Sequence, residues 1–87
     1  MNYVHFSRWL KNINLLTVTA LAARVGVSRI VCSQWVNGHS LPNSSNLLKI
    51  CLAVETEEHT WQSILLAAYE QIHNDLHLHD LQAAVKE

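Results

Sequence analysis

Apolar residues recur along this chain three and four positions apart, the spacing of an amphipathic helix rather than a strand. Val4, Phe6, Trp9 and Leu10 give the apolar stripe of a first helix over about Tyr3 to Asn12, with Asn12 and Asn14 marking its exit. Leu21, Ala22 and Val25 define a second helix. Thr17 or Thr19 can cap its start, and Gly26, free to take a left-handed backbone, ends it. Ser28 suits the N-cap of a third helix, whose apolar face is Cys32 and Trp35 and whose end is Asn37-Gly38. The stretch from His39 to Ser45, which holds the only proline, reads as a loop. A fourth helix starts near Ser44 or Ser45 and presents Leu47, Leu48, Ile50, Cys51 and Val54. Thr56 can cap a fifth, with Glu57 and Glu58 well placed in its first turn.

That fifth helix carries Trp61, Ile64, Leu65, Ala68, Tyr69 and Ile72, and Asn74-Asp75 either breaks it or sits on its polar face. Leu78, Leu81 and Val85 give a last amphipathic segment, with Leu76 at its edge. One proline and two glycines leave little to interrupt this periodicity, so the fold class is all-α. Neither a repeat nor a linker is visible. The expected organisation is one domain over residues 1–70 and a C-terminal helical extension over 71–87.

The second and third helices, joined by a short turn at Gly26, have the form of a helix-turn-helix. In that motif the second helix can enter the major groove of DNA. Cys32 and Trp35 fix which face of it turns inward.

Composition adjusts this picture in three ways. Hydrophobic residues make up 49% of the 87 and charged residues only 15%, enough apolar surface for a core and some for a second chain. Homodimerisation follows as an expectation, since a chain of this size buries only somewhat more than ~60% of its unfolded surface. The net charge of -1 argues against strong nonspecific DNA binding, which draws on cations. Four of the six basic residues, Arg8, Lys11, Arg24 and Arg29, nevertheless lie in the first third, while acids gather at Glu55, Glu57, Glu58 and beyond. The asymmetry favours the helix-turn-helix end as the nucleic-acid side.

Other chemistry is sparse. Cys32 and Cys51 fall at apolar helical positions and read as buried thiols of a reducing cytoplasm. The longest apolar run, Ile64 to Tyr69, is far too short to span a bilayer, and no targeting segment is recognisable, so no membrane association and a cytoplasmic location are expected. His73, His77 and Asp80 can share one helical face, but no cysteine motif accompanies them. We expect no metal there, and instead a polar face that titrates near neutrality. With no glycine-rich phosphate loop and no paired acids in a cleft, no catalytic residue is assigned and no cofactor is expected.

The order of residues resembles the lambda repressor/Cro-like helix-turn-helix family. Leu16-Thr17, Leu21-Ala22, Gly26-Val27-Ser28, Ser33, Trp35, Gly38, Pro42 and Leu47-Leu48 carry the resemblance, which covers roughly residues 3 to 68. Its most specific part is the joint placement of Ala22, Gly26, Cys32 and Trp35. The resemblance implies a five-helix core whose third helix reads DNA with Arg29, Ile30, Ser33 and Gln34. Arg29 has the donors for guanine O6 and N7, Gln34 pairs with adenine N6 and N7, and Ile30 offers only apolar contact to a thymine methyl. Ser28, Asn37, Gly38 and His39, with Lys11 and Arg24, would face phosphates. Two positions depart from the family pattern. Val18 stands where a phosphate-anchoring Gln is common, and His39-Ser40-Leu41 stands where Lys or Arg is common.

The resulting expectation is a transcriptional regulator, a phage- or bacterial-type repressor that binds a pseudo-palindromic operator in double-stranded DNA as a homodimer. Ile72, Leu76, Leu78, Leu81 and Val85 would supply the dimer interface. Regulation would come through occupancy or a regulatory protein partner. The alternative is a helix-turn-helix interaction module, an antitoxin or antirepressor partner, with weak or no DNA binding. Val18, Ile30 and the uncharged loop favour it.

Overall fold

Five helices follow one another in this computed structural model, which describes the backbone of residues 3–86 and the side chains of residues 3–77. They are α1 (Val4–Ile13), α2 (Val18–Val25), α3 (Arg29–Val36), α4 (Ser44–Ala53) and α5 (Trp61–Lys86), with no strand among the described residues. The all-α, five-helix reading of the sequence holds, and the first helix shifts by a single residue.

Local chemistry accounts for most boundaries. Thr17, not Thr19, caps α2, its side chain accepting from the Ala20 N–H. Gly26 ends that helix at φ 84°, in the left-handed region where a Cβ is strained, and returns its N–H to the Ala22 carbonyl. Ser28 caps α3 through the Val31 N–H. Asn43 caps α4 through the Asn46 N–H, so Ser44 is the first residue of the helix.

The start of α5 differs from expectation. Thr56 accepts from the His59 N–H and closes a small turn with it, and Glu57 and Glu58 lie in that turn rather than in a helix. The helix begins four residues later, at Trp61, whose N–H donates to the Glu55 carboxylate at 2.9 Å. Thr60 and Ser63 then bond each other at the helix entrance. Ile64 and Ala68, four apart on one face of this helix, both turn into the core. Asn74-Asp75 does not break α5, and Asp75 is turned inward rather than lying on a polar face.

Each helix contributes to a single core. Phe6 and Leu10 come from α1, Leu21, Ala22 and Val25 from α2, Cys32 and Trp35 from α3, Leu47, Ile50 and Cys51 from α4, and Ile64 and Ala68 from α5. Fully burying each large side chain contributes roughly 1.5–3 kcal/mol. Trp9 and Trp61 are half-buried against this core, which makes them packing residues. Both cysteines are free and buried, and burial pushes the Cys51 thiol up to about 11 and the Cys32 thiol upward as well. Such thiols are poor nucleophiles near neutral pH.

Two contacts place α1 against the far end of α3. The Tyr3 N–H donates to the Gly38 carbonyl at 2.7 Å, and the Ser7 hydroxyl donates to the Val36 carbonyl at 2.6 Å. Gly38 sits at φ 77°, and a Cβ there would meet the Tyr3 carbonyl oxygen at 3.1 Å and the Ser7 Cβ at 3.2 Å. Its left-handed conformation favours glycine, and its close neighbours add to the strain that a side chain would meet.

Candidate nucleic-acid interface

The third helix divides cleanly into two faces. Cys32 and Trp35 are buried, and Val31 and Val36 pack against the core beside them. On the other side Arg29, Ile30, Gln34 and Asn37 are exposed, with Ser33 half-buried between them. Positions 29, 33 and 37 form one row and 30 and 34 the next, as side chains four apart on a helix must. Arg29, Ile30, Ser33, Gln34 and His39 line one shallow hollow, so the structure gathers all four residues expected to read bases, with His39 at their margin. Ile30 is 73% exposed, an apolar side chain left out of the core at the centre of this face.

The residues expected to hold phosphates divide differently. The Ser28 hydroxyl already accepts from the Val31 N–H, although its remaining capacity faces solvent. At the end of the helix the amides are occupied. The Asn37 N–H bonds the Ser33 and Trp35 carbonyls, that of Gly38 the Trp35 carbonyl, and that of His39 the Gln34 carbonyl at 2.8 Å. Gly38 is also buried. These bonds close the carbonyl end of α3, as helix ends require, and leave the Asn37 and His39 side chains as the outward groups. The Asn37 amide group donates to the Ser33 hydroxyl at 3.1 Å, which steadies both.

Arg24 and Lys11 go separate ways. Arg24 donates to the Ala53 carbonyl at 3.3 Å, where a cation meets the negative end of α4. It lines a hollow with Leu15, Leu16 and Glu55, apart from the one on α3. Lys11 instead lines a hollow with Arg8, Ser7, Val4 and Asn37, next to the end of α3. Arg8 is exposed there and was not singled out as a contact by sequence reasoning. Its signal was the i, i+3 spacing of Arg8 and Lys11, two cations on one face of α1.

Charge along the chain is more divided than the net value suggests. Residues 1–54 carry Arg8, Lys11, Arg24, Arg29 and Lys49 and no acid at all. All seven acids, with Lys86, lie from Glu55 onward. The helices around the helix-turn-helix therefore present a purely cationic set of charged side chains, the footprint a nucleic-acid surface needs.

Val18, the departure from the family pattern at the start of α2, is half-buried and packs against the core. It exchanges a polar outward group for apolar contact.

The outer side of α5 has another character. Leu66, Tyr69, His73 and Leu76 are exposed and spaced three, four and three apart, which places them on one face. Leu66 is 74% exposed. Of the five residues expected at a dimer interface, Leu76 lies on this face and Ile72 packs inward against the core. The side chains of Leu78, Leu81 and Val85 lie outside the described residues. The rings of His73 and His77 stack with centroids 6.4 Å apart, and the Asp80 side chain lies outside the described residues. No grouping of three metal-ligating side chains occurs among the described residues, and none of the helices described is long and apolar enough to cross a membrane.

A family model described as helix-turn-helix matches residues 8–59, from within α1 to the turn before α5. Comparison with curated proteins and with solved structures gives no match.

Proposed function

Because the chain belongs to the lambda repressor/Cro-like helix-turn-helix family, and is thus a DNA-binding transcription regulator, we propose that it represses from a pseudo-palindromic operator as a homodimer. The observation that carries this reading is the outward face of α3, where Arg29, Ile30 and Gln34 are exposed together while Cys32 and Trp35 anchor the helix from behind. Arg29 would pair with guanine O6 and N7, Gln34 with adenine N6 and N7, and Ile30 with a thymine methyl. Ser33 would contact a base edge beside them. Ser28, Asn37, His39 and Lys11, joined by Arg8, would hold phosphates and set the register.

Two copies would place their α3 helices in successive major grooves, about 34 Å apart. The dimer would form through the C-terminal part of the chain, on the outer face of α5 with Leu66, Tyr69 and Leu76, and through Leu78, Leu81 and Val85 beyond. Residues 1–70 would then be the reading domain, lending Leu66 and Tyr69 to the interface, and 71–87 the extension that completes the dimerising face. Such a protein works in the cytoplasm, without cofactor or catalytic step, and a regulatory protein partner would act by competing for the same apolar face.

A selection from random duplex DNA tests this, run at two salt concentrations with wild type and an Arg29→Ala, Gln34→Ala double variant. The reading expects a two-fold symmetric consensus that the folded double variant fails to enrich. It also expects binding that falls steeply with salt. Folded wild type that enriches nothing contradicts it.

A second reading is favoured by the exposure of Ile30 together with that of Leu66. The chain would then be a protein-interaction module, an antitoxin or an antirepressor partner, built on the same scaffold. Its complexes would be apolar and nearly indifferent to salt, which separates the two.

A further inference from the structure

Helix α1 begins without a cap of its own. Tyr3 stands at the N-cap position and its side chain makes no capping hydrogen bond. The orphan amides that a local Ser, Thr or Asp would satisfy are those two and three residues into the helix. Here they belong to His5 and Phe6. Both donate to Asp75 on α5, one to each carboxylate oxygen, at 2.8 Å apiece. Asp75 is 5% exposed, so the carboxylate is an N-cap delivered from about seventy residues away and sealed from solvent.

A remote cap does something a local one cannot: it fixes where the helix end sits relative to α5. That same first turn of α1 holds the end of α3, through Tyr3 on Gly38 and Ser7 on Val36. The approach at Gly38 is tight, so that a methyl group there would push Tyr3 and Ser7 back by a few tenths of an ångström. A displacement of α1 is therefore passed to Val36–His39. His39 and Ser40 in turn donate to the Gln34 carbonyl, within the reading face.

We infer that Asp75 is a positioning residue for DNA binding, which sets the carbonyl end of α3 through α1 without touching DNA itself. The inference rests on the reading of α3 given above. Recognition needs side chains held within about half an ångström of their productive geometry, which is the precision a bidentate buried cap supplies. Asp75→Asn keeps the shape but turns an NH₂ group toward one of the two donors, so one contact becomes donor against donor.

The test uses the full chain as wild type, Asp75→Asn and Leu65→Ala, the last loosening α5 packing without touching the cap. Affinity is measured on a duplex recovered by selection, well below each melting temperature. Asp75→Asn is expected to bind about tenfold more weakly, the scale of one lost buried hydrogen bond to a charged group. Leu65→Ala stays near wild type. Combined with His39→Ala, Asp75→Asn should lose less than the product of the separate losses, because both act at one end of α3. Combined with Arg29→Ala, at the other end, the losses should multiply. Amide resonances of Val36–Ser40 should shift in Asp75→Asn while those of α2 stay in place.

Folded Asp75→Asn that binds like wild type, or resonance changes confined to α1 and α5, would overturn the inference. The resonance readout needs no DNA, so it separates failure here from failure of the operator reading. Should Asp75→Asn not fold, hydrogen exchange in wild type decides. A shared opening free energy for the His5, Phe6, Gly38 and His39 amides supports the link, and independent openings refute it.

Discussion

Helices α3 and α5 are built alike on one side and differently on the other. Each gives the core a buried pair, Cys32 and Trp35 from one and Ile64 and Ala68 from the other. Outward, α3 presents Arg29, Gln34, Asn37 and a single Ile30, whereas α5 presents Leu66, Tyr69 and Leu76 with Glu70 beside them. These two buried pairs are alike in kind, since both are apolar and packed in the same core. The outer faces are not, and the proposed function gives them two separate tasks: the polar face with Arg29 would meet DNA edges and phosphates, and the apolar one another protein chain.

The largest expected effects come from the faces the two helices share. Trp35→Ala should cost about 3–5 kcal/mol and Ile64→Ala about 2–5 kcal/mol in chemical denaturation. Either is a large fraction of the stability expected of a domain this size. If one of the two were nearly neutral, the inner faces would not be equivalent and the comparison would break.

Next come the outer faces, where the effects should separate. Arg29→Ala or Gln34→Ala should remove roughly 1–3 kcal/mol of base discrimination in competition binding. Unfolding midpoints should move by less than about 0.5 kcal/mol equivalent. Leu66→Ser and Tyr69→Ser should instead lower self-association in sedimentation, with base preference unchanged. A Leu66→Ser protein that stays fully dimeric but reads a different sequence would reverse the assignment of the two faces.

Smaller still are the local devices that hold α3 in place. Ser28→Ala should cost about 1 kcal/mol through the lost cap, and Gly26→Ala roughly 1–2 kcal/mol through left-handed strain, since nothing crowds a Cβ there. Thermal melts of both proteins check this, with similar shifts expected.

Least disruptive is pH. Burial holds the Cys51 thiol protonated to about 11, above its ordinary 9.0, so the native state keeps a proton that the unfolded chain releases. The stability tied to that proton is fully present below pH 9 and is lost as pH rises toward about 11. Denaturation midpoints should therefore be level on this account up to pH 8 and fall above 9, more in wild type than in Cys51→Ala.

How much of this was legible in the sequence follows the range of the forces involved. The α2–α3 unit was read nearly to the residue, because Thr17, Gly26 and Ser28 act on amides and carbonyls within four positions of themselves. The entrance of α5 was not. Thr56 is as good a cap by type as Thr60, but Thr56 closes a turn with His59 while the Glu55 carboxylate takes up the Trp61 N–H at the helix start. Asp75 was illegible for the same reason taken further, since its partners are His5 and Phe6 at the opposite end of the chain. Arg8 was legible only as one cation of the first third, because the packing of α1 on the end of α3 is what brings it beside Asn37. At the end of α3, the amides that a sequence leaves open for phosphate are taken up by the carbonyls of the helix they close.

The division of labour between the two outer faces is tested most directly by following backbone amide resonances of the full chain in two titrations. One adds a duplex recovered by selection, and the other dilutes the protein alone. The account predicts that DNA moves Arg29, Ile30, Gln34 and His39, while dilution moves Leu66, Tyr69 and Leu76 and leaves α3 unchanged. Duplex-induced changes centred on α5, with Arg29 and Gln34 unmoved, would contradict it.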